Sequence, residues 1–294
     1  IDSKTYSKLI SQSGRYKFTD NFKSFPINLG SFNREIPIIW LEGNSNEFKM
    51  DKKATYYFVE KNISDKNLKF KFQNSEAKIF IQGKFKNVNF EFTRDFENQN
   101  KSLENSRYDK NLLTGCVNFF DSDFDKVSLT SSNMICEDSI NIKNSKGNLN
   151  KIDINNSFYD ALDLDFSNIT VKNLKVNNAK NDCADFSFGK YKIDQANLQN
   201  CGDKGFSVGE RSKFILNNGN IFFTNIGIAS KDDAITNINR VNMESMNVCF
   251  AAYNKKKEFR GSKINVKNYE CKQYATLKQL DSFSEINIPR EKLN

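Results

Sequence analysis

The chain has 294 residues, with 44 Lys and Arg against 36 Asp and Glu, and no histidine. The missing histidine excludes Ser-His-Asp and Cys-His nucleophile systems and His-ligated zinc, and no apolar run approaches the roughly 20 residues of a membrane span. The net charge of +8 comes with a general excess of Lys, Asn, Ile and Phe. It has no dense basic block interleaved with aromatics, so nucleic acid is not an expected partner.

Residues 1–50 read as an N-terminal cap with irregular strands. A short helix is predicted over Asp2 to Ser11, with Tyr6, Leu9 and Ile10 on one face to cover the open end of a stack. No basic-then-apolar leader stands at Ile1, as in a mature form or a cytosolic protein. The clearest early strand is Ile38 to Leu41, behind Pro37. Residues 51–294 read as a solenoid. Alternation of period two runs through Leu68, Phe70 and Phe72, through Ile79 and Ile81, and on to Phe90 and Phe92. Residues 95–111 are polar and aperiodic, and are expected to form a long loop.

From Asn141 the chain repeats every 22 residues. One column runs Asn141, Asp163, Asp185, Ser207, Ala229, Ala251, flanked by Ile140, Leu162, Ala184, Phe206, Ile228, Phe250. A second apolar column runs Ile154, Val176, Leu198, Ile221, Met243. A fixed period with alternating faces marks stacked short strands, each repeat burying its apolar face against its neighbours. The three prolines lie at 26, 37 and 289, outside the clean repeat.

Six cysteines fall in or near this register. Cys116, Cys183 and Cys249 share a column three coils apart, about 14 Å at the strand spacing and too far to bridge. Cys271, 22 residues after Cys249, is the exception that could reach a partner. Free thiols used as small packing residues are the expected state. The small residues Ser139, Ala161, Cys183, Gly205, Gly227 and Cys249 are expected to point outward. They would form a shallow strip for a polymer or a covering loop.

Asp163 and Asp185 would stack about 4.8 Å apart, an arrangement that like charges disfavour. With Asp165 they call for a cation, a nearby base or a shared proton; an all-oxygen set of this kind suits Ca²⁺. At the preceding turn, Asp138, Asp160 and Asp182 are expected to bond their own backbone as Asx-turns.

The coil length, three strands per coil and Asn-rich corners between Ala54 and Ile288 resemble the right-handed parallel β-helix proteins of the pectin-lyase-like class. Asn181-Asp182-Cys183-Ala184-Asp185, the run Gly202 to Glu210, and Ile228-Ala229-Ser230-Lys231-Asp232 look like coils of secreted bacterial members. The resemblance implies an all-β fold, secretion or display at the cell surface, and binding of an acidic polysaccharide. It further implies cleavage by Ca²⁺-assisted β-elimination, with Asp163, Asp165 and Asp185 on the cation and Lys204 or Lys231 as base. Tyr253, Lys255, Lys256 and Arg260, in a basic aromatic loop, would grip the glycan, unless that loop is an ordinary solvated turn. A hydrolase would instead pair Asp163 with Asp185 or Glu210, although the Gly-His-Gly signature of the class's hydrolases is missing at Lys204-Gly205. A non-catalytic glycan-binding or phage-spike module is the alternative.

Overall fold

Residues 37–94 and 112–289 are described in this computed structural model. The expected capping helix and the loop over 95–111 lie outside them. Strands β1 (Ile38–Leu41), β2 (Glu47–Met50), β3 (Thr55–Ser64), β4 (Asn67–Phe72), β5 (Lys78–Lys86) and β6 (Asn89–Arg94) open the ladder. Next come β7 (Gly115–Phe120), β8 (Asp123–Met134), β9 (Asp138–Lys143), β10 (Lys146–Ser157), β11 (Asp160–Asp165) and β12 (Asn168–Ala179). The ladder closes with β13 (Ala184–Ser187), β14 (Lys190–Gly209), β15 (Lys213–Lys231), β16 (Ile235–Tyr253), β17 (Lys263–Leu280) and β18 (Glu285–Asn287). All described pairings are parallel, and no described residue is helical. The fold is a parallel β-helix.

The register follows the repeat. Asn141 pairs with Asp163, Asp163 with Asp185, Asp185 with Ser207, Ser207 with Ala229 and Ala229 with Ala251. The second column pairs Ile154, Val176, Leu198, Ile221 and Met243 in the same way. A one-residue slip would turn each apolar column out to water, so burial pins this register. The core is aromatic towards the N-terminal coils, where Phe70 packs between Phe48 and Phe92, and mostly aliphatic beyond them.

Corners turn through left-handed backbone conformations, which Asn and Asp adopt more readily than other side chains. Asn133, Asn156, Asn178 and Asn200 form one such column, with φ between 56° and 63°. Each side-chain amide from Asn156 onward donates to the carbonyl of the coil before, over 3.0, 3.0 and 2.8 Å. Phe223 takes the next place at φ 56° and ends the ladder. At a second corner the left-handed column is Asp121, Asn144, Phe166, Phe188 and Arg211. Its two phenylalanines and Arg211 break the Asn/Asp rule.

Two expectations fail here. All six cysteines are oxidised, as Cys116–Cys136, Cys183–Cys201 and Cys249–Cys271, with Cα separations of 5.3, 5.4 and 6.6 Å. Bridging three coils up a column is indeed too long, and Cys249–Cys271 is the bond that the 22-residue spacing put within reach. A chain that returns to the same corner every 22 residues nevertheless brings a cysteine 18 to 22 positions on within reach, across the corner. The small-residue strip is not a floor either. Ser139, Ala161, Cys183, Gly205, Gly227 and Cys249 are buried, because alternation breaks where each strand leaves its corner and two successive residues turn inward. Ala229 and Ala251 are also covered, packed with Val248 against Ile226 and Tyr253.

Candidate functional site

The coil corner before β11 and β13 gathers the acidic residues. One carboxylate oxygen each from Asp160, Asp182 and Asp185 lies within 4.8 Å of the others. Two of the three are there for a backbone reason. Asp160 Oδ1 accepts from the Asp182 amide at 2.7 Å and from Asn181 Nδ2 at 2.7 Å, and Asp182 Oδ1 accepts from the Lys204 amide at 3.0 Å. Each therefore caps a corner amide of the following coil; the Asx-turn expected for Asp160 and Asp182, closing on their own backbone, is replaced by a bond to the next. Asp185 comes from the strand face, the most open of the three, with 28% of its side chain exposed.

Two lysines close over this group. Lys204 Nζ stands 3.4 Å from Asp182 Oδ1 and also contacts Asp203. Lys231 Nζ leans back across two coils, donating to Ser207 Oγ at 2.6 Å and standing 3.9 Å from Asp185 Oδ1. Only small side chains underneath permit that path, and the Lys231 stem passes over Gly209. Lys231 is 6% exposed. Asp185 Oδ1 is buried and has no hydrogen-bond partner, so the gap to Lys231 is a charged contact left unclosed.

Burial is the main force on the protons here. It pushes the Asp160 carboxyl up to about 8, helped by the charges of Asp182 and Asp138. Asp182 is raised to about 6 by burial and by Asp185, against the pull of Lys204. Burial opposes the charge on both lysines, but the carboxylates outweigh it: Asp182 and Asp203 leave Lys204 above its ordinary value, and Asp185 does the same for Lys231.

The sequence-predicted residues divide accordingly. Asp185, Lys204 and Lys231 meet in one cluster. Asp163 instead accepts from Asn141 Nδ2 at 2.8 Å, and Asp165 lies 3.6 Å from Lys143. Burial raises both carboxyls, with Asp165 adding to the effect on Asp163. Tyr253 lies beside Lys231 in the ladder, and burial pushes its hydroxyl up. The loop after it folds back towards earlier coils: Lys256 contacts Glu210, Asp232 Oδ1 accepts from the Lys255 and Lys256 amides at 2.7 and 2.8 Å, and Asp233 Oδ1 accepts from the Arg260 amide. Sequence reasoning missed Asp160 and Asp182 as members of the cluster. The signal was the column Asp138, Asp160, Asp182, Lys204, whose last member changes sign.

No protein-family model and no curated protein matches the chain. Among solved structures, it resembles the enzymatically active domain of tailspike protein 2 from bacteriophage CBA120, at 8% identity and a TM-score of 0.46. The alignment covers 85% of this chain and 42% of the tailspike chain.

Proposed function

We propose that this face binds a polysaccharide and hydrolyses it by carboxylate acid–base chemistry, with Asp160, Asp182 and Asp185 as the reacting group. The observation that carries this reading is their convergence within 4.8 Å beside the two lysines. Glycoside hydrolysis needs one carboxyl that holds a proton for the leaving oxygen and one that is ionised. With Asp203, which also contacts Lys204, four carboxyls face two ammonium groups, and the negative charge left over favours keeping a proton among them. Asp160, pushed up to about 8 by burial and by the charges of Asp182 and Asp138, carries that proton near neutrality. Asp185, more open and facing Lys231, is the partner that meets the sugar. Three disulfides suit an oxidising, extracellular setting.

Ca²⁺-assisted β-elimination is the second reading, because the same three oxygens could hold a metal ion. Their donor type suits Ca²⁺, but Lys204 and Lys231 already stand against Asp182 and Asp185 as cationic partners. A lysine base would also need its pKa lowered, and both are raised. The residues present therefore fit the hydrolytic reading better than the cation.

The two readings separate in one experiment. Neutral and acidic polysaccharides are incubated with the protein, with Ca²⁺ and with chelator, while new reducing ends and the ultraviolet absorbance of unsaturated ends are followed. Hydrolysis predicts reducing ends without absorbance, insensitive to chelator, and lost in Asp185→Asn. Rising absorbance that disappears with chelator would replace this reading with elimination. Binding without any new ends would leave a non-catalytic module.

A further inference from the structure

Phenylalanine stands at two successive left-handed corner positions, Phe166 at φ 50° and Phe188 at φ 52°. For a bulky side chain this conformation is an outlier, and Asp121 and Asn144 hold the two preceding places of the same column. The rings are not hidden in return. Phe188 is 39% exposed, and the two rings stack 4.7 Å apart at an interplanar angle of 3°. Phe259, brought over by the loop after Tyr253, meets Phe188 at 6.0 Å. Lys143 lies over Phe166 at one end and Arg211 over Phe259 at the other.

The ridge follows the ends of β11 and β13 opposite to the acidic corner. Asp165 and Ser187 immediately precede the two phenylalanines, and Ser187 Oγ donates to Glu210 Oε2 at 2.5 Å. Its charges cancel locally: Lys143 pairs with Asp165 and Arg211 with Asp233, each at 3.6 Å, and Lys256 contacts Glu210. The open edges of these rings, rimmed by neutralised polar groups, present an uncharged and largely apolar surface that an uncharged sugar can cover.

We propose that Phe166, Phe188 and Phe259 form a binding ridge for uncharged pyranose units, with their hydroxyls directed to Asp165 and Lys256. This rests on the polysaccharide reading above but not on its hydrolytic chemistry. The test uses affinity electrophoresis of the whole chain through gels containing dextran, galactomannan or xyloglucan, with polygalacturonate and alginate as anionic chains. Wild type should be retarded by at least one neutral polymer, equally at low and high salt. Phe188→Asn, which restores the corner's usual residue type, should weaken that retardation about tenfold, as loss of one aromatic contact would, with an unchanged or higher melting temperature. Phe259→Ala, in a loop held by backbone bonds, should weaken it in the same direction and guards against a folding defect at 188. Unaltered retardation in both folded variants overturns the ridge while leaving the polysaccharide reading intact, as does binding confined to anionic polymers and abolished by salt. No retardation of wild type by any polymer removes both.

Discussion

Asp160 keeps its proton to about pH 8 because burial, then Asp182 and Asp138, oppose a charge there. In the unfolded chain the same carboxyl ionises near pH 4. Below that pH both states hold the proton and nothing is lost. Between about 4 and 8 only the folded state binds it, so the stability this group contributes declines as pH rises through its folded value. Asp160→Asn keeps an oxygen for the Asp182 amide and removes the linkage. It should match wild type in urea at pH 4 and exceed it at pH 8 by on the order of 2 kcal/mol. Under the hydrolytic reading it should also lose turnover, gaining stability and losing function in one substitution. A variant less stable at pH 8 than at pH 4, relative to wild type, would show that the carboxylate is ionised and compensated in the fold.

At the level of the corner, the asparagine ladder combines two effects: Asn tolerates left-handed backbone, and each amide reaches the carbonyl one coil back. Asn178→Ala removes a donor and an acceptor at φ 63° and should cost about 1–2 kcal/mol. Phe223→Asn should extend the ladder by one coil and stabilise by about 1 kcal/mol, since Phe223 is exposed and gains little from burial. Denaturant midpoints of the two variants, moving in opposite directions, check both. The ladder also shows what was legible in the sequence. Strand pairing has a side-chain period of two, so the 22-residue repeat and its apolar columns determined register from Asn141 to Ala251. Phe166 and Phe188 were not legible as surface residues, because a phenylalanine at the end of an alternating strand reads as core. Asp160 and Asp182 were hidden by a sufficient local explanation, since an aspartate at a turn needs no partner beyond the backbone. Cys249–Cys271 was legible as a possible bond from its 22-residue spacing, but Cys116–Cys136 and Cys183–Cys201 were missed because columns invite vertical comparison, whereas the bonds cross a corner.

Taken whole, each coil of the ladder touches its neighbours and little else. The last coil shows the consequence at one edge. Lys263 to Asn265 pair with β18, while later residues of β17 pair only with β16, leaving the far side of that coil open among the described residues. Lys267, Lys272 and Lys278 stand exposed along it, the charged dressing that discourages one open strand from pairing with another.

The cystines, for their part, tie each bridged segment into a closed ring, with mechanical consequences. Pulled from its ends in an optical trap, the ladder should peel coil by coil, and a bridged ring cannot pay out its full length. The Cys183–Cys201 ring withholds 18 residues, about 60 Å of extended chain. Reduction should lengthen the corresponding step by that amount and leave unbridged steps unchanged. Identical step lengths before and after reduction would mean that these bonds do not close in the folded protein. If the steps lengthen, the cystines act as stops along a spring, limiting how far any one failure can run.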